Sequence, residues 1–180
     1  MYISREKRKT NIAEYLIYMF QVEDLIRSLN LDMEKIDELI IQKYELSYND
    51  KRDLREWYLS IIRHLSENGL RDRGHSPFLH NLMNEINDLH ISLINNPGES
   101  NYHQLFKYAR PSINELRLKS GSPDKHDIEI CLEGLYGLLL LRLSRKKTNP
   151  ETEKAFGTIS MMLSYLSAKF KETDDGLSAL

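Results

Sequence analysis

The sequence predicts an all-α fold: a single-domain, up-and-down bundle of six to seven helices with one central hydrophobic helix. Three observations predict it. Twenty-eight Leu stand against a single Val, Val22, and γ-branched residues keep rotamer freedom in helices while β-branched ones favour pleated surfaces. Helix starts and stops divide the chain into segments of helical length. The connections left between them are short, which makes successive helices antiparallel neighbours.

The starts are Ser47-Tyr48-Asn49-Asp50, Ser76-Pro77, Ser122-Pro123 and Thr148-Asn149-Pro150-Glu151, where a side-chain oxygen at the N-cap or a Pro at the first helical position suits a helix N-terminus. Stops fall at Gly69, Asn96-Pro97-Gly98 and Gly121, since Gly enters the left-handed region at little steric cost. Helices are therefore expected over residues 5–30, 32–45, 48–68, 77–95, 101–119, 123–147 and 150–171, with one domain over 1–171 and a loose tail over 172–180. Pro111 lies inside the fifth segment and predicts a kink or break near 109–111. The segments do not match one another, so no solenoid repeat is present.

Two segments carry apolar arcs too wide for a surface helix. In the first, Ile12, Leu16, Met19, Phe20, Val22, Ile26 and their neighbours cover more than half the wheel. In the sixth, apolar residues from Ile128 to Leu143 run almost all the way round, and Gly134 and Gly137 offer close approach to a neighbouring backbone. This segment is the expected hub. The fourth and seventh segments show single stripes, such as Leu79, Leu82, Met83, Ile86 and Leu93, and pack onto it.

Composition narrows the function classes. Lys and Arg total 25 against 27 Asp and Glu, a net charge of −2, without the basic excess of a nucleic-acid coat. One Cys rules out an internal disulfide and a multi-Cys zinc module. Residues 1–9 are charged and lack the apolar stretch of a secretory signal. The strongest apolar run, 138–141, is far short of the ~20 residues that span a bilayer. A cytoplasmic protein with no membrane association is expected.

Two blocks, Arg5-Glu6-Lys7-Arg8-Lys9-Thr10-Asn11-Ile12-Ala13-Glu14-Tyr15 running on through Gln21-Val22-Glu23-Asp24-Leu25-Ile26-Arg27, and Leu135-Tyr136-Gly137 through Leu143, resemble a family of uncharacterised, all-helical proteins of Bacteroidetes classed as a domain of unknown function. Arg73-Gly74-His75 and Asn87-Asp88-Leu89-His90 share the likeness. The resemblance implies a helical fold in a bacterial cytoplasm. It carries no catalytic residue and no cofactor.

Polar residues on apolar faces are the candidate site. At 100° per residue Glu23 falls between Ile12, Leu16 and Met19, and Arg27 follows it at the spacing of a helical ion pair. Arg142 falls between Cys131 and Leu135, and His90 points with Leu79, Ile86 and Leu93. Together Glu23, Arg27, His90 and Arg142 could line a small polar pocket, with Arg142 as a fork for a carboxylate or phosphate, Glu23 holding it and His90 as donor or proton carrier. The same pattern also suits a structural ion pair and a satisfied core histidine. A second anion-site candidate is Arg71, Arg73 and His75, in a loop before a helix start.

Other chemistry finds less support. No His has Glu three residues before it, and there is no His-Glu-x-x-His, so di-iron and zinc-protease arrangements are not indicated. The acids Glu34, Asp37, Glu38, Glu85 and Asp88 read as solvated helix surface rather than a magnesium site. Arg5, Lys7, Arg8 and Lys9 read as a solvated helix end. Arg145, Lys146 and Lys147 complement the dipole at the end of the hub. Cys131 reads as a small core residue. No catalytic residue, metal site or cofactor is assigned, and enzyme activity is left open. The first expectation is a non-enzymatic interaction protein that partners another protein or itself through an apolar face left over by the bundle, with Trp57 or Tyr58 as a possible anchor. The second, from a different class, is a small-anion binding or acid–base protein using the inward Arg/Glu/His set.

Overall fold

A computed structural model describes the backbone of residues 2–178 and the side chains of 6–173. It is all-helical, with no strand among the described residues. In chain order the helices are α1 (Tyr2–Thr10), α2 (Ile12–Ser28), α3 (Met33–Leu39), α4 (Tyr48–Glu67), α5 (Pro77–Asn95), α6 (Ser100–Ser120), α7 (Asp127–Leu143) and α8 (Pro150–Ser178), with a 3-10 turn at Ile41–Lys43 between α3 and α4.

The expected first helix is two. Asn11 takes an extended backbone and its side chain accepts the Glu14 N–H at 3.1 Å, so a helix N-cap interrupts the run. The second expected segment shortens to α3 and the 3-10 turn. It is entered through Asn30 and Leu31, both at φ 59°, and capped by Asp32, whose carboxylate accepts from Glu34 and Lys35 N–H. Ser47 caps α4 as its sequence predicts. Ser76-Pro77 starts α5 with Pro in the first turn, although the Ser76 hydroxyl makes no capping bond.

Pro111 neither breaks nor ends α6, which runs on to a left-handed Gly121. Flanking packing on both sides of the missing hydrogen bond holds the helix together, for Ala109 and Ile113 are fully buried. Ser122-Pro123 does not start a helix. It forms a turn, and α7 begins after His126, whose ring Nδ1 accepts the Glu129 N–H at 3.1 Å. Asn149 rather than Thr148 caps α8, accepting from Thr152 N–H at 2.7 Å. That helix continues past the expected end at 171 to Ser178. Residues 179–180 of the expected tail lie outside the described residues.

Helix α7 packs against α2, α5, α6 and α8, and α8 lies along α6 while also touching α1, α2, α5 and α7. Helix α4 lies on α2 and α3. The hub expectation holds for the first part of α7, where Ile128, Ile130, Cys131 and Leu132 are buried. Its end departs from that expectation: Leu140, Leu141 and Leu143 are 42%, 39% and 64% exposed. The two glycines of α7 also differ from expectation. Gly134 faces the side chains of Leu116 and Phe156 rather than a backbone, and Gly137 faces open space. No helix among the described residues is long and apolar enough to cross a membrane.

Candidate functional site

Glu23 is fully buried on α2, as its position on the apolar face requires. A buried carboxylate needs partners, and the 68–76 loop supplies them. His75 Nδ1 lies 2.8 Å from Glu23 Oε2, and the Ser76 N–H donates to Oε1 at 3.0 Å. Arg27, one turn along α2, approaches Oε2 at 3.8 Å and points mainly into the same loop. Its Nε donates to the Leu70 carbonyl at 3.0 Å, and Nη2 donates to that of Gly74. Its Nη1 donates to Asp24 at 2.8 Å, which in turn accepts from the Tyr136 hydroxyl of α7 at 2.6 Å. Phe20 stacks on the His75 ring, with centroids 3.8 Å apart. Burial, and then donation to Asp24, push the Tyr136 phenol well above its ordinary range. The whole set is a clasp fastening the 68–76 loop to α2 and α7.

His90 belongs to a second network. It is 2% exposed on α5. The hydroxyl of the fully buried Tyr102 of α6 shares a hydrogen bond with His90 Nδ1, and Nε2 faces Asp127 at 3.5 Å. Asp127, in the first turn of α7, also accepts from Arg117, which donates to the Lys125 carbonyl and to Asn114 as well. The interaction with His90, joined by Arg117, lowers the Asp127 carboxyl to about 2. Burial raises the Tyr102 phenol and the Cys131 thiol above their ordinary ranges, which removes Cys131 as a nucleophile at neutral pH. Tyrosine, imidazole and carboxylate are in the order of a proton relay, but the hydroxyl at its head is sealed in the core. A catalytic group must reach its substrate; this chain instead ties α5, α6 and α7 together.

The sequence-predicted residues thus fall into three places. Glu23 and Arg27 come together, joined by His75 from the other candidate set. His90 has separate partners. Arg142 is the correction: its side chain is 56% exposed and pairs with Glu153 of α8, so it supplies no inward fork. Arg71 and Arg73 are exposed and His75 turns away from them toward Glu23, so that loop gathers no three-residue anion site. Tyr58 is buried and Trp57, half-buried, packs edge-on against it. Among the described residues no three His, Cys, Asp or Glu side chains are grouped to hold a metal ion.

Sequence reasoning missed Tyr102, Arg117, Asp127 and Tyr136. One signal was available for Tyr102: it shares a helical stripe with Phe106, Ala109 and Ile113, and a tyrosine on such a stripe requires a partner for its hydroxyl.

Fold and polar networks together define an all-helical protein whose inward charges fasten helices to one another. The chain belongs to the family described as Domain of unknown function (DUF4924), which matches residues 1–176. Neither a curated protein nor a solved structure matches it.

Proposed function

We propose that the protein is a non-enzymatic helical interaction protein that self-associates through the C-terminal end of α7. The observation that carries this reading is the exposure of Leu140, Leu141 and Leu143 within one turn of the most uniformly apolar helix in the chain. Scattered exposed leucines need no explanation, but a cluster at the end of a core helix is costly to leave in water. The residues that follow it, Arg145, Lys146 and Lys147, are exposed cations. The buried polar groups favour this reading over acid–base chemistry, because Glu23 and His90 already have internal partners. A cytoplasmic setting is part of the proposal.

The patch is small, so the interface belongs to the weak class and is populated near ~100 µM rather than at nanomolar concentration. Sedimentation velocity over a dilution series tests it. Wild type is expected to shift from monomer to dimer as concentration rises, and Leu141→Asp to stay monomeric with unchanged helical circular dichroism. A wild-type chain that remains monomeric throughout, or a Leu141→Asp chain that dimerises equally, overturns the proposal.

A further inference from the structure

Helices α2, α3, α4 and α8 are capped by Asn11, Asp32, Ser47 and Asn149 through side-chain oxygens. Helix α7 differs. Its cap is His126, whose ring Nδ1 accepts the Glu129 N–H at 3.1 Å. A backbone N–H can only donate, so Nδ1 carries no proton and the hydrogen of the ring sits on Nε2. Capping here requires a neutral imidazole. An imidazolium has a hydrogen on both nitrogens and accepts at neither, and its charge also opposes the positive end of the helix dipole.

The surroundings set how this ring responds to acid. Half-buried His126 has Asp127 and Glu129 in its own turn and is faced by His80 and His90 from α5. Burial holds the ring below its ordinary 6.5; Glu129 and Asp127 pull it upward, and His90 and His80 add to the effect of burial. Lys125, beside it in sequence, is paired with Glu129 at 3.0 Å and with Glu133. From α6, Arg117 reaches Asp127 and the Lys125 carbonyl. Asp24 of α2 and Glu153 of α8 meet α7 at Tyr136 and Arg142, farther along the helix. A histidine that holds its proton less tightly when folded stabilises the fold fully above its unfolded pKa, and that stabilisation is lost as pH falls through the folded one.

Asp127 directly follows the cap and joins His90 of α5 to Arg117 of α6. We propose that His126 is a pH-sensitive cap: its protonation below about pH 6 lets the first turn of α7 open more often, and each opening releases Asp127 from α5 and α6. The closed turn stays the major form, so acid loosens the entry of the hub helix by degrees. This device is independent of the leucines at the other end of α7.

Amide hydrogen exchange, read as protection factors at about pH 7.5 and about pH 5, tests it. Two amides report on the turn: that of Glu129, bound by the ring, and that of Ile130, which donates to the His126 carbonyl at 3.2 Å. Both are expected to lose protection about five- to tenfold in acid, the weight of an N-cap, while Thr152, under the Asn149 cap of α8, keeps its own. His126→Asn, which caps through an oxygen and gains no proton in this range, is expected to hold protection at both pH values, and His126→Ala to be poorly protected at both. Nitrogen NMR of the wild-type ring at neutral pH is expected to show Nδ1 bare and Nε2 protonated. Protection of Glu129 and Ile130 that ignores pH in the wild type, the same acid loss in His126→Asn, or a protonated Nδ1 at neutral pH each overturns the proposal.

Discussion

Asp127 shows how a single side chain links three helices. Its carboxylate lies between His90 of α5 and Arg117 of α6, and these contacts hold it near a pKa of about 2 against an ordinary 3.8. A depressed carboxyl stabilises the fold at pH values above its unfolded pKa, and that contribution is lost as pH falls through the folded value. At 1.36 kcal/mol per pKa unit the difference is about 2 kcal/mol. Asp127→Asn is therefore expected to lower stability by about 2 kcal/mol at neutral pH in chemical denaturation. The gap should close between pH 4 and 2; a constant gap would show that the carboxylate's charge is not the stabilising feature. The inward position of Glu23 was legible because α2 has a directional pattern, with polar residues on the other side. Arg142 was not, for a plain physical reason. A helix apolar almost all round has no polar side to orient its wheel, so nothing in 128–143 tells which end of the segment leaves the core.

At the scale of elements, the 68–76 loop owes its position to α2. Glu23, His75, Ser76 and Arg27 join segments about fifty residues apart, which no local pattern reveals: each residue type was visible as unusual, but the closure of the loop was not. Removing one member of a buried charged set costs about 3 kcal/mol, and Glu23→Ala is expected to lose about that much. The local effect is more specific. In native conditions trypsin should cut Glu23→Ala at Arg71 or Arg73 well before it cuts elsewhere, while Glu23→Gln, which can still accept from Ser76, should be cut more slowly. Indifference of the loop to both substitutions would contradict the clasp.

Helix α7 gives a second elemental contrast. A Cβ at Gly137 meets nothing within 4 Å, whereas one at Gly134 would come within 2.9 Å of Leu116 Cδ1 and 3.1 Å of Phe156 Cε1. Gly137→Ala should raise stability by about 1 kcal/mol through helix propensity. Gly134→Ala should fall below it by about 1–2 kcal/mol because the gain is offset by overpacking, as paired thermal melts would read. Helix boundaries divided in the same physical way. Ser47 and Gly121 act locally and were legible. The break at Asn11 and the use of His126 as a cap depend on competition between neighbouring starts, which residue type alone does not resolve.

Across the whole molecule, α7 enters the bundle buried and leaves it exposed. The all-helical class followed from residue choice, because Leu-rich segments with defined ends admit few alternatives. The packing order did not: α4 lies on α2 and α3, and α8 spans most of the bundle, arrangements set by which apolar stripes fit one another. The end of α7 is where the fold and the proposed self-association meet. A nitroxide attached through Lys147→Cys, beside the leucines, tests it directly, since the native Cys131 is buried and protected from the label. Mixed with an unlabelled, isotope-enriched copy at about 100 µM, a range suited to a weak interface, the spin label should broaden the resonances of Leu140, Leu141 and Leu143 in the other copy. Broadening confined to a different face, or none at all, would contradict the account.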